Sequence, residues 1–205
     1  MSTITYFYTG STESEVENQF ADLRDVTTAE EFVAYIDRVI ATRFTDDYFN
    51  LTLPSELNSA AAISPAWNGY IAAQIVLNNP MLFSNTPISK YFIIGSSGTK
   101  NAIDKHHIFP KHYLEQIGFS NDRDRNQLAN FAYLDYVTNI DISDKAPAEY
   151  VNTYRQKLGD EGYQKACEQN ALPKQFENMV YPEFLEKRRQ LMAQIVRKAY
   201  IELCK

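Results

Sequence analysis

The only three histidines of the 205-residue sequence, His106, His107 and His112, fall within seven consecutive positions. An imidazole is basic yet mostly neutral near pH 7, so it can take a proton from water or give a lone pair to a metal ion. His106 and His107 lie in AIDKHHIFP, which reads as a short strand closed by a proline. In a regular strand neighbouring side chains point to opposite faces, so the two rings cannot meet at one point. They can still flank one phosphate if the strand belongs to a hairpin packed on a helix, one ring binding a metal and the other holding a water. An isolated His pair is more often an ordinary polar feature of a surface or core. Pro110 just beyond it, and Asn130 and Asn139 further on, raise it above that reading.

Several elements must position these residues. From Tyr91 the pattern is YFII, then Gly95-Ser-Ser-Gly98, then the His strand, which predicts strand, turn, strand. Residues 111–117 suit two helical turns closed by Gly118. Residues 130–134 are strand-like, and Asp135 suits the N-cap of a helix carrying Thr138 and Asn139. Pro147 opens a helix expected to end near Gly159, and the apolar periodicity of Phe184, Leu185, Arg188, Leu191, Met192, Ile195, Val196, Ala199 and Leu203 traces a long terminal helix. Upstream, Thr28 and Glu31 form a capping box before an apolar stripe of Phe32, Ile36, Val39, Ile40 and Phe44, which predicts a core-packing helix. Ser64-Pro65 starts another, through Trp67, Ile71, Ile75 and Val76, that Asn79-Pro80 stops. Trp67 is expected to pack rather than to stack on a base.

The bulk composition narrows the classes. An apolar fraction of 44% with 13% aromatics excludes disorder, and the length suits one compact unit. No run of about 18 apolar residues exists, and MSTITYFYTGSTESEVE lacks the basic start and apolar stretch of a secretory signal, so a cytoplasmic protein with no membrane partner is expected. Cys167 and Cys204, with no CxxC, indicate neither a disulfide framework nor a thiolate zinc site. A net charge of -6 argues against nucleic-acid binding until it is located: residues 1–60 carry eleven acids and three bases, and residues 61–205 fifteen acids and seventeen bases.

DKHHIFP resembles the first half of the HNH motif, and NFAYLDYVTN, with Asn130 and Asn139 at its ends, resembles the second. Over a longer stretch, HHIFPKHYLEQIG, NQLANFAYLDYVTNIDISDKAPAEY, YPEFLEKRRQLM and the upstream SPAWNGYIAAQIVLNNPMLFS are similar to the C-terminal nuclease half of GmrSD-type, modification-dependent restriction proteins. No DGQQR-like string of the ParB-like nucleotide-hydrolysing half is present. The resemblance implies an α+β fold, a mainly helical domain containing a ββα-metal (HNH) core. Residues 1–90 would be a helical N-terminal region, 91–150 the core and 151–205 C-terminal helices, in one compact unit. It implies a DNA endonuclease, the effector part of a bacterial antiviral restriction system, served by a nucleotide-binding targeting domain or subunit.

Carried onto this chain, the resemblance makes His107 the general base, His106 and Asn139 metal ligands, and Asn130 a member of the catalytic set that pins the strand pair. One imidazole and one amide as protein ligands favour Mg²⁺ or Mn²⁺, and the imidazole also admits Zn²⁺ or Ni²⁺. Asn126 competes with Asn130 for the structural role, and Asp135 or Asp141 with the metal ligands. Lys111, His112 and Lys145 are candidate phosphate contacts. Arg123 and Arg125 alternate with Asp122 and Asp124 and suit a solvated charged surface better. Two rival readings are a non-catalytic nucleic-acid or protein binding module with the same fold, and a ribonuclease.

Overall fold

A computed structural model of the protein describes residues 13–61, 64–92 and 103–205. It is mainly helical with one small antiparallel sheet. In chain order the regular elements are α1 (Glu13–Asp22), α2 (Ala29–Arg43), a π-helical turn (Tyr48–Thr52), α3 (Leu53–Glu56), α4 (Pro65–Val76), a 3₁₀ turn (Ile88–Tyr91), β1 (Ile103–His107), α5 (Lys111–Gln116), α6 (Asp122–Arg125), a 3₁₀ turn (Leu128–Asn130), β2 (Phe131–Asp135), α7 (Tyr136–Ile142), α8 (Pro147–Gln169), a 3₁₀ turn (Phe176–Asn178) and α9 (Tyr181–Leu203).

β1 and β2 pair antiparallel, with Ile103 opposite Asp135, Lys105 opposite Tyr133, His106 opposite Ala132 and His107 opposite Phe131. Partners directly opposite share a face, so Lys105, His107, Phe131 and Tyr133 lie on one side and His106, Ala132 and Leu134 on the other. The first face packs on α4, where the buried Trp67 ring lies 6.4 Å from Phe131 and 6.2 Å from Tyr133. α4 is buried on nearly every side, which explains why its sequence is apolar all round, and its start is fixed by Ser64, whose hydroxyl accepts from the Trp67 N–H. Asp135 ends β2 and starts α7 at one residue, its carboxylate accepting from the Thr138 N–H at 2.8 Å. α7 then folds back to contact both strands.

One continuous core takes side chains from Phe44 to Ala199, with α9 packed along α4 and α3 and against the Leu128–Asn130 turn. Phe109 joins it through rings of α9, with centroids 5.3 Å from Tyr181 and 4.6 Å from Phe184.

α2 has the expected capping box, and its stripe meets the core at the C-terminal end, where Phe44 is buried and Ile40 packs against it; the N-terminal end departs from the expected core face, with Phe32 43% exposed. The helix opened by Pro147 breaks at Gly159 as expected: that glycine takes φ 71° and ψ 164°, and a second helical stretch, counted with it in α8, follows to Gln169. Of the strand expected from Tyr91, Tyr91 instead closes a 3₁₀ turn, and residues 93–102, with the Gly95–Gly98 turn, lie outside the described residues. No helix among the described residues is long and apolar enough to cross a membrane.

Candidate functional site

His107 ends β1, half-buried against the ring of its cross-strand partner Phe131 at a centroid distance of 4.6 Å. Its Nε2 lies 3.0 Å from Asn126 Oδ1. An amide oxygen can only accept, so the neutral ring carries its proton on Nε2 and keeps the lone pair on Nδ1. Burial holds the imidazole below its ordinary pKa, the Asn126 contact acts in the opposite direction, and the positive charges of Lys111, Lys105 and Arg125 add to the depression. Burial and the neighbouring cations thus bias the ring toward its neutral form.

The loop between the strands is fastened by side chains reaching its backbone. Asn130 is fully buried: its Oδ1 accepts from the Phe109 N–H at 2.8 Å, and its Nδ2 donates to Phe109 O at 3.0 Å and Arg125 O at 3.1 Å. The Ile108 N–H donates to Asn130 O at 2.8 Å. Asn130 thus ties the segment after His107 to the segment carrying Asn126. Its side chain is a pin inside the fold, bonded to backbone on both sides of the loop.

More distant residues hold the same loop. Tyr150 of α8 donates its hydroxyl to Ile108 O at 2.8 Å, and Tyr181 at the start of α9 donates to Asp124 O at 2.8 Å. Arg188, fully buried in α9, donates to Ala129 O at 2.8 Å and to Asn170 O at 3.3 Å, and its guanidinium also meets the Tyr70 hydroxyl. Burial lowers the Arg188 pKa. Sequence reasoning assigned none of these three, although a charged residue inside the apolar stripe of α9 was a visible signal for Arg188.

His106 lies one position before the base and on the opposite face of β1, and Asn139 lies on the second turn of α7. α7 contacts both strands. An imidazole and an amide oxygen, if they served together, would suit an ion that keeps several waters, since most positions would be left to solvent or substrate. Among the described residues no group of three or more His, Cys, Asp and Glu side chains is placed to hold a metal. The rival metal donors are engaged elsewhere: Asp135 caps α7, and Asp141 pairs with Lys157 at 3.1 Å.

The candidate phosphate contacts divide. Lys111 stands exposed at the first turn of α5 and contributes to the field at His107. His112 is exposed on the same helix and turned toward Gln116 at 3.3 Å and Glu115 at 3.8 Å. Lys145 donates to Asp141 O at 2.6 Å, so its ammonium caps the C-terminal end of α7. Arg125 is taken up by Glu115 and Asp122 with its side chain only 11% exposed, so it is not the solvated surface residue expected.

No protein-family model, curated protein or solved structure matches this chain.

Proposed function

We propose that the protein is a metal-dependent endonuclease of the HNH, ββα-metal kind that hydrolyses phosphodiester bonds of DNA, with His107 as its general base. The observation that carries this reading is the setting of His107, at the end of the first strand of a strand–strand–helix unit: its Nε2 lies 3.0 Å from Asn126 Oδ1, a contact that in the neutral ring leaves the Nδ1 lone pair for a water, and burial lowers its pKa. A half-buried imidazole beside lysine side chains is an arrangement that can activate water next to an anionic ester.

In this mechanism Nδ1 of His107 takes a proton from the attacking water while the Asn126 oxygen holds the ring in its tautomer and stabilises the imidazolium that forms. His106 and Asn139 would hold the divalent ion, with Mg²⁺ or Mn²⁺ favoured because most positions would be left to water and phosphate oxygens. Such an ion, when bound, supplies positive charge to a phosphate oxygen and to the departing 3′ oxygen. Lys111 faces the backbone from the first turn of α5. Asn130, Tyr150, Tyr181 and Arg188 keep the loop from relaxing as charge moves through it. The role in restriction of foreign DNA, with targeting supplied by another domain or subunit, rests on the sequence resemblance, and the acidic first third of the chain suits an effector that does not grip DNA broadly by itself.

Nicking of a supercoiled plasmid with Mg²⁺ or Mn²⁺, with and without EDTA, tests this reading in the wild type and in His107→Ala. Metal-dependent nicking that falls about 10²- to 10⁴-fold in the variant is expected. Nicking by His107→Ala at the wild-type rate removes the assigned base. An inert wild type leaves the binding-module reading, and cleavage of RNA in place of DNA moves the same site to a ribonuclease.

A further inference from the structure

Lys105 is the second cation-bearing residue on the face of β1 that carries His107, two positions before it. Its ammonium lies 4.0 Å from the centroid of Phe131, the same ring against which His107 packs. The aromatic face holds the end of a long, flexible side chain beside the imidazole and offers no hydrogen-bond acceptor or negative charge. Among the described residues no carboxylate pairs with Lys105 and no acceptor hydrogen-bonds it, in contrast to Arg125 with Glu115 and Asp122, Lys145 with Asp141 O, and Lys157 with Asp141. A partly buried ammonium held over an aromatic face with no carboxylate partner among the described residues is poised for an anion supplied from outside.

We propose that Lys105 is a phosphate-binding residue of the His107 site, its ammonium taking a non-bridging oxygen of the nucleic-acid backbone on the same strand face as the imidazole. This rests on the nuclease reading and adds a substrate contact to it. Phe131 serves both residues: it fixes the distance between the cation that holds the backbone and the base that activates water.

The test is binding of the metal-free full chain, in EDTA, to a DNA duplex of about 20 bp by fluorescence anisotropy, across about 50 to 200 mM salt. Wild type, Lys105→Met and Lys105→Arg are compared, with thermal midpoints to verify folding. Loss of one phosphate contact lowers the slope of log K against log salt by about 0.9, so the deficit of Lys105→Met should be about 3.5-fold larger at the low end of this range than at the high end. Lys105→Arg should keep the wild-type slope. A Lys105→Met slope equal to that of wild type overturns the proposal, as does an arginine variant as impaired as the methionine one, which would mark packing on Phe131 as the contribution. Absence of salt-dependent binding in the wild type also overturns the proposal for Lys105, while the nuclease reading stands or falls separately on metal-dependent plasmid nicking.

Discussion

Replacing Asn130 by alanine should cost roughly 2–4 kcal/mol of stability, because the fully buried side chain satisfies three backbone groups, two of them on the buried Phe109. The Phe109 N–H, bonded to Oδ1 at 2.8 Å, loses its partner and bears the desolvation penalty of a buried orphan donor, about 1–3 kcal/mol. The Phe109 carbonyl loses a donor at 3.0 Å, and the Arg125 carbonyl one at 3.1 Å, while the latter keeps the Tyr181 hydroxyl at 3.4 Å. For a chain of this size about 2–4 °C of melting temperature accompanies each kcal/mol, so a drop of roughly 5–15 °C is expected in a thermal unfolding curve. Asn130→Asp sharpens the test. It keeps an acceptor for the Phe109 N–H but turns a second oxygen toward two carbonyls, so it should be as damaging as alanine. A midpoint within about 2 °C of wild type for Asn130→Ala would leave under about 1 kcal/mol for all three bonds and refute the pin. Loss of cleavage with unaltered stability would return Asn130 to the substrate side of the site.

Asn126→Asp, which still accepts from Nε2 of His107, should preserve most of the nicking activity, whereas Asn126→Leu should lose it and show a mixed His107 tautomer in ¹⁵N spectra of the ring; equal activity in the two variants would remove Asn126 from the site. Because burial keeps His107 below its ordinary pKa of 6.5, the ring stays an unprotonated base to lower pH, and the acid limb of the nicking rate should lie below that value; a limb above it would show that another group titrates. His106→Ala and Asn139→Ala should each regain part of their lost activity in excess Mn²⁺ while His107→Ala does not, and rescue of His107→Ala alone would exchange the two histidine roles. Thr28→Ala removes the α2 cap, whose hydroxyl accepts from the Glu31 N–H at 3.2 Å, and should cost about 1 kcal/mol by urea unfolding without altering nicking, since α2 is remote from the pinned loop.

The parts of the fold that were legible in the sequence are those set by local chemistry. Thr28, Ser64 and Asp135 each cap the helix they precede, because a side-chain oxygen placed before a helix can satisfy an orphan N–H over a few residues and needs nothing from the rest of the chain. The β2 strand and the α7 turn carrying Asn139 were legible for the same reason. Burial is a tertiary property and failed where a partner was needed. The stripe of α2 has helical periodicity, yet it is buried at Phe44 and leaves Phe32 43% exposed. Gly159 breaks helix geometry as read, but whether a chain turns away or re-enters a helix after a glycine depends on what packs around it. Asn126 and Asn130 stand four residues apart with the same donor and acceptor groups, so their division of labour, one on the imidazole and one on the backbone, follows only from the loop's path.

That path is itself set from far away, which explains why the supporting residues left so little trace in the sequence. A loop of short turns between two strands buries carbonyls that no regular element satisfies, and each buried carbonyl needs a donor. Asn130 supplies two donors from within the loop, but Ile108, Asp124 and Ala129 take theirs from Tyr150, Tyr181 and Arg188, which lie 42, 57 and 59 residues away in sequence. Side-chain donors to backbone carbonyls impose no spacing, so a tyrosine in α8 or α9 looks like any core aromatic until the loop is laid against it. Arg188 is the strongest case, since an apolar residue would pack there without the desolvation penalty of a guanidinium. Its several donors in one rigid group join Ala129 O, Asn170 O and the Tyr70 hydroxyl, elements that an apolar side chain could bury but not bond. The residue next to Ala129 is Asn130, so the position of the pin, and through it that of the His107 loop, is coupled to the packing of α9 against α4. The short motif supplies the chemical groups, and the helices around it supply the rigidity that a base working on a fixed phosphate requires.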